Sequence, residues 1–282
     1  MQLTPSILQI DPEETKQKIT RFIKDYTTKT KAKGIVLGMS GGIDSSTNAA
    51  LTAFAIGGDK TYGLLMPEQE TKSRIDINHA RQVAGKFKIR TTLIDITEVL
   101  NALYRSIPDF KPQDLKTKGN LKARARTTLL YYYANSKNLI VSASSDKSET
   151  MIGYYTKFGD IAADIAPQQD LYKTQVRQLA KYISIPEAVI RKPSTPALWP
   201  NQTAEKEIGI SYEKLDLILY GLEHFMETPQ IAKQLATQVK TVETIKKRWL
   251  AAEHKRRMPL APKLGFRTVG KDFRLPYDAE EV

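Results

Sequence analysis

The densest chemistry in the sequence lies in the string Ser40-Gly41-Gly42-Ile43-Asp44-Ser45-Ser46. Glycines let a backbone approach an anion closely, and N–H groups at the start of a helix point at it. The three serines add hydroxyl donors. Asp44 falls in the first helical turn, where a carboxylate can reach a magnesium ion held by phosphates. A glycine pair alone reads equally well as a tight turn; the full string favours a phosphate cradle. It is not the G-x-x-x-x-G-K-[ST] loop, because it lacks the lysine that contacts terminal phosphates. Further candidates are Glu149, Lys157, Lys173, Tyr155 and His254. Each has a plainer alternative as a surface charge, a core aromatic or the cover of a helix end. Trp199 reads as packing, and Tyr131 to Tyr133 as buried packing or a subunit interface.

Such residues need elements to hold them. Asp11, Pro12 and Glu14 predict a capped first helix, with Glu14 completing a capping box. Ile35-Val36-Leu37 reads as a buried strand, the 38–42 stretch as a turn and 43–55 as a helix. The alternation continues with strands over 61–66, 91–96 and 139–143, and helices over 73–87, 97–104 and 120–137. This pattern implies an α/β fold, a Rossmann-like parallel sheet with helices on both faces and ligands beyond the strands' carboxyl ends. After Asp146 the strand signal fades. Helices are expected over 172–182, 212–221, 228–239 and 242–253, a proline-bearing loop over 192–203, and an extended tail over 258–277. The chain reads as a single domain over 1–282: an N-terminal helix (1–33), a nucleotide-binding α/β core (34–145) and a mostly helical part (146–282).

No apolar run approaches the ~20 residues that span a bilayer, and no secretory signal opens the chain. The cytoplasm is the expected location. There is no cysteine, which excludes disulfides, thiolate zinc sites and a cysteine nucleophile. The net charge of +12 suits a scattered basic surface, a polyanionic small substrate or a nucleic acid. Two basic clusters stand out, Lys116, Lys118, Lys122, Arg124 and Arg126, and Lys246, Lys247, Arg248, Lys255, Arg256 and Arg257. Neither is interleaved with aromatics as a base-stacking platform would be, which disfavours nucleic acid.

The Ser40–Ser46 string resembles the pyrophosphatase loop of enzymes that split ATP into AMP and pyrophosphate, a superfamily with an adenine nucleotide alpha-hydrolase-like fold. Further motifs stand in order: Gly119-Asn120-Leu121-Lys122-Ala123-Arg124-Ala125-Arg126, Lys147-Ser148-Glu149, Gly153 through Asp160, Asp164, Leu171 through Val176, Pro193-Ser194, Leu198 through Glu205, His254-Lys255-Arg256 and Asp272 through Pro276. Together they make the chain similar to the ammonia-dependent NAD synthetases over roughly 34–276. That resemblance implies adenylation of the nicotinate carboxyl of deamido-NAD by ATP, release of pyrophosphate, and displacement of AMP by ammonia. It implies magnesium at Asp44 and Glu149, and a homodimer.

By the same resemblance Ser40, Gly41, Gly42, Ile43, Asp44, Ser45 and Ser46 cradle pyrophosphate. Met66 sits by the adenosine, and Ser144 and Ser194 near ATP. Lys173 and Lys255 are phosphate cations, with His254 beside them. Arg124, Tyr155, Lys157, Asp164 and Glu205 contact deamido-NAD, and Asp160 receives the ammonia. The sequence departs from the family's usual pattern at Ile161, Ala162, Asn201, Ala204 and Pro167-Gln168-Gln169, all in loops expected to close over substrate. Two other readings stay open: a tRNA-modifying ligase of the same superfamily, and a weakened nucleotide-binding regulator.

Overall fold

The structure, a computed structural model, describes residues 1–275. Pro276 and Tyr277, at the end of the expected tail and motif set, lie outside the described residues. A short 3-10 helix (Pro5–Leu8) precedes the first α-helix, α1 (Pro12–Lys29). Asp11 Oδ1 accepts from the N–H groups of Glu13 and Glu14 at 2.9 and 3.0 Å, and Pro12 fills the first helical position. Glu14 does not close the expected capping box. Its carboxylate reaches forward to Lys18 at 2.8 Å, the neighbour one turn along the helix.

Four parallel strands, β1 (Gly34–Gly38), β2 (Thr61–Leu65), β3 (Arg90–Leu93) and β4 (Leu139–Val141), lie in the order β3-β2-β1-β4. Val36 of β1 pairs with Tyr62 on one side and Val141 on the other. Ile35, Val36 and Leu37 are fully buried, as expected of an apolar run covered on both faces. Ile35 and Leu37 pack with α1, α2 (Ile43–Ile56), α3 (Arg74–Lys86) and α7 (Lys173–Tyr182). Val36, Leu64 and Val141 pack with α4 (Thr97–Ser106) and α5 (Leu115–Lys137). The chain steps outward from β1 to β3 and returns to β4 on the other side of β1. Strand order therefore reverses beside β1, where such sheets open a crevice.

The remaining helices are α6 (Lys147–Ile152), α8 (Glu187–Ile190), α9 (Ala204–Ile208), α10 (Tyr212–Glu223), α11 (Thr228–Gln234), α12 (Val239–Ala251) and α13 (Glu253–Arg256). A second core gathers α6, α9, α10, α11 and α12 around Tyr212, Leu215 and Ile218, and takes in Leu3 and Leu8 from the N-terminus. The expected helix over 228–239 ends early, because Ala236 adopts a left-handed φ of 46° and α12 starts anew at Val239. No described helix is long and apolar enough to cross a membrane.

Candidate functional site

The Ser40–Ser46 string joins β1 to α2. Gly41 has φ +76°, and a Cβ there would lie 2.2 Å from the carbonyl oxygen of Asp76. Only glycine permits both the left-handed backbone and this approach of α3. Ser40 Oγ and Ser45 Oγ lie 3.0 Å apart, and Ser45 Oγ also bonds the Gly42 carbonyl at 3.2 Å. Gly42 precedes α2 without a side-chain cap, so the first N–H groups of the helix stay available to an anion. Gly41→Ala is expected to displace the loop and lower kcat/KM for pyrophosphate release at least ~100-fold, since misplacement of ~1 Å costs that much. Steady-state kinetics and circular dichroism check this; near-parent turnover contradicts it.

Lys173 sits at the centre of the site with its side chain wholly buried. Its Nζ lies 2.7 Å from Asp44 Oδ2, 2.7 Å from Asp146 Oδ2 and 2.9 Å from Glu149 Oε1. Burial alone would depress the ammonium's pKa, but the three carboxylates outweigh it and raise it well above the usual lysine range. Burial pushes Glu149 up to about 8, with help from the Asp146 charge and against the pull of Lys173. Burial likewise raises Asp146. Oxygens of Asp44, Asp146 and Glu149 converge within 4.8 Å of one another, and buried Asp44 Oδ1 has no protein partner. An all-oxygen donor set with a spare inward oxygen fits a hard divalent cation.

Buried residues from other elements hold this group. Asp146 caps α6 by accepting from the Glu149 N–H at 2.8 Å. Ser148 Oγ accepts from the Lys173 N–H at 2.9 Å and donates to Asp216 Oδ1 at 2.5 Å, while Asp216 Oδ2 accepts from the Thr174 N–H at 2.8 Å. Gln168, fully buried, donates from Nε2 to the Asp44 carbonyl at 3.0 Å. The polar departure at 167–169 thus has a structural use. Asn48 Nδ2 ties α2 to Ser142, to the Ala143 carbonyl and to Ser144 at 3.0 to 3.3 Å.

Burial raises Asp216 from 3.8 to about 6, against the hydrogen bonds of Ser148 and Thr174. A carboxyl with a raised folded pKa holds its proton more tightly in the folded chain. Its contribution to stability is complete below the unfolded value and is lost as pH rises through the folded one. Asp216→Asn removes this cost. The variant is expected to gain on the parent by about 2–3 kcal/mol as pH rises from about 4 to about 6, and to hold that gain above. Denaturant unfolding of both proteins across that range checks it; a pH-independent difference contradicts it.

A cavity of about 320 Å³ opens at the carboxyl ends of β1, β2 and β4. Ser40, Gly42, Ile43, Asp44, Ser45, Met66, Ser144, Glu149, Asp160 and Ser194 of the sequence-derived set line its wall. Gly41 and Ser46 of the loop, and Lys173, do not line it. Asp160, exposed on the cavity wall, accepts from the Thr156 N–H at 2.8 Å, and the protein crowded around the cavity strips its hydration and raises its pKa.

The remaining residues of the set lie off this wall. Lys255 Nζ donates to the carbonyls of Gly153 and Tyr155 at 2.6 and 2.7 Å. Arg124 binds the Lys157 carbonyl. Asp164 accepts from the Val141 N–H at 2.7 Å, and Glu205 from the Tyr212 N–H at 3.0 Å. His254 is exposed. Sequence reasoning missed Asp146, Asp216, Arg126 and Lys192. Arg126 and Lys192 line the cavity, and Arg126 donates to the Met66 carbonyl at 3.1 Å. The only advance signal for Asp146 is its place three residues before Glu149, where an aspartate caps a helix.

Known proteins resemble the chain in sequence and in fold. An NH3-dependent NAD+ synthetase of Hyperthermus butylicus is 40% identical over 91% of this chain and 92% of its own. Among solved structures, an NMN synthetase from Francisella tularensis has a TM-score of 0.81 at 33% identity, covering 91% of this chain and 100% of that one. An NH3-dependent NAD synthetase from Campylobacter jejuni, in complex with nitrate, has a TM-score of 0.75 at 29% identity, covering 90% and 100%. The model of the family described as NAD synthase matches residues 15–259, and the chain belongs to that family.

Proposed function

We propose that this chain amidates deamido-NAD with ammonia at the expense of ATP, giving NAD, AMP and pyrophosphate. The observation that carries the reading is Lys173 and three carboxylates gathered behind the Ser40–Ser46 loop at the mouth of the sheet. A carboxylate does not accept an amine until its oxygen becomes a good leaving group. The nicotinate oxygen therefore attacks the α-phosphorus, and the bond to pyrophosphate breaks. Ammonia then attacks the acyl carbon, AMP leaves with the bridging oxygen, and the nitrogen loses a proton.

The loop and the start of α2 hold the departing pyrophosphate, and Lys173 balances its charge. Asp44, Asp146 and Glu149 would hold magnesium, which when bound neutralises phosphate charge. Asp160, facing the cavity with a raised pKa, is placed to take the proton from nitrogen. Asp160→Asn is expected to slow amide formation about 10²-fold or more, within the range of general base catalysis, and pyrophosphate release much less. Parallel assays of the two products check it; equal losses contradict it. The chain is taken to act as a cytoplasmic homodimer, with Tyr132, two-thirds exposed on α5, in support of an interface.

A second reading has the mononucleotide as substrate. It is favoured by the fold shared with an NMN synthetase and by the placement of Arg124, Lys157 and Asp164 off the cavity wall. Amidation assays with ATP, magnesium and ammonium, comparing kcat/KM for deamido-NAD and nicotinate mononucleotide, test both. A preference for the dinucleotide supports the first reading, and a preference for the mononucleotide the second. No amide from either sinks both.

A further inference from the structure

The basic cluster on α5 is not all surface. Lys122 is fully buried, and its three ammonium donors are all used: on Glu68 Oε1 at 2.9 Å, Glu70 Oε2 at 2.7 Å and the Leu198 carbonyl at 2.9 Å. Glu68 is also buried. Burial would raise its pKa, but Lys122, Thr71 and the Glu70 N–H hold it below the usual carboxylate value. Taking such charges out of water costs several kcal/mol per ion, and an apolar side chain would pack a helix as well. What the ions supply is the position of their partners.

Those partners belong to two different loops. Glu68 and Glu70 lie in the segment after β2, which Glu68 folds into a turn by accepting from the Glu70 N–H and Thr71 Oγ1 at 2.9 and 2.7 Å. Met66, Thr71, Lys72 and Ser73 of that segment form one rim of the cavity. Leu198 lies in the segment between α8 and α9, whose 193–198 stretch forms a second rim. That segment is strained where Lys122 grips it: Ala197, a residue with a Cβ, has φ +47°. It also touches the helix closely, since a Cβ on Gly119 would stand 3.0 Å from Leu198 Cβ. A second ion pair, Lys192 with Asp76, joins the same segment to α3. Lys192 and Asp76 line the cavity, whereas Lys122, Glu68 and Glu70 do not. An anion in the cavity can therefore compete for Lys192, while the Lys122 set stays latched out of its reach.

We propose that Lys122 is a positioning residue whose ammonium latches the two rims together, so that the adenylated intermediate meets ammonia rather than water; the chemical half of this inference rests on the reaction proposed above. With the latch open, water attacks the acyl carbon, the acyl–oxygen bond to AMP breaks, and carboxylate, AMP and a proton result. ATP is then consumed without amide formation.

The test uses the full chain with Lys122→Met and Glu70→Gln. The second substitution removes a half-exposed partner and keeps the fold if the first does not. Two quantities are read: hydrogen exchange of the 66–73 and 194–203 amides in ligand-free protein, and pyrophosphate released per amide formed. Exchange in both segments is expected to rise about tenfold or more while α1 and α12 stay protected. The ratio is expected to climb from about one toward about three or more, less steeply for Glu70→Gln. Unchanged exchange in those segments, faster exchange spread evenly through the chain, or a ratio that stays at one overturns the proposal. A parent chain that makes no amide refutes the reaction, and the exchange measurement then decides the latch alone.

Discussion

Asp44→Ala and Glu149→Ala are each expected to lower pyrophosphate release by about 10³-fold or more, with the double variant little worse than either single one. The three carboxylates and Lys173 form one charge group, with Nζ–O distances of 2.7 to 2.9 Å, and residues that act as a unit lose function non-additively. Either substitution leaves too few oxygens for a cation that must offset the repulsion between a carboxylate and a polyphosphate, a contribution of several kcal/mol. The fold should survive, because Asp146, rather than Asp44 or Glu149, caps α6. Magnesium with a non-hydrolysable ATP analogue should raise the parent's melting temperature and leave the variants' unchanged, by linkage of binding to folding. Near-parent pyrophosphate release in either single variant removes that residue from the site.

Ammonium salts are expected to support amide formation by this chain, and purified glutamine to give a rate at least about 10³-fold lower. Releasing ammonia from glutamine relies on an activated nucleophile such as a thiolate, and the 282 residues hold no cysteine. The rate with ammonium should rise with pH while free ammonia increases, because only the unprotonated form carries a lone pair. Product assays at fixed total nitrogen, on protein free of contaminating amidase, decide the point. Equal rates with glutamine and ammonium contradict it.

The Ser40–Ser46 loop is legible in the sequence because its pattern is local: strand, glycine turn, hydroxyls and helix start fall within a dozen residues. The β-α alternation is legible for the same reason. Weak rhythms blur the boundaries. The α5 helix starts at Leu115, capped by Asp114, but its first turns are too polar to show a face. Strand β3 is a short exposed edge, so the expected run to Ile96 overshoots. The four- to six-residue helices α6, α8 and α9 are too brief for a periodicity to register.

Within the site, motifs name Asp44, Glu149 and Lys173, while Asp146, fully buried, offers in the sequence only its place as the cap of α6. Composition misleads most at Lys122, which it places in a basic surface cluster. The partners of Lys122 stand 52, 54 and 76 residues away in sequence, and no helical spacing reports them. Asn201 departs from the glycine usual in the family. Its φ of +60° is the left-handed conformation that asparagine tolerates best after glycine, so the loop keeps its course.

The most direct test of the central claim follows an oxygen atom. Deamido-NAD carrying 18O in both carboxylate oxygens is turned over with unlabelled ATP, magnesium, ammonium and unlabelled water, and the AMP is analysed by mass spectrometry. If the carboxylate is adenylated, one of its oxygens bridges to the α-phosphorus and leaves with AMP, so each AMP formed alongside NAD carries one 18O and the amide retains the other. AMP without label, formed in step with NAD, would mean that ATP is cleaved without ever being joined to the substrate, and would contradict activation of the carboxylate by adenylation.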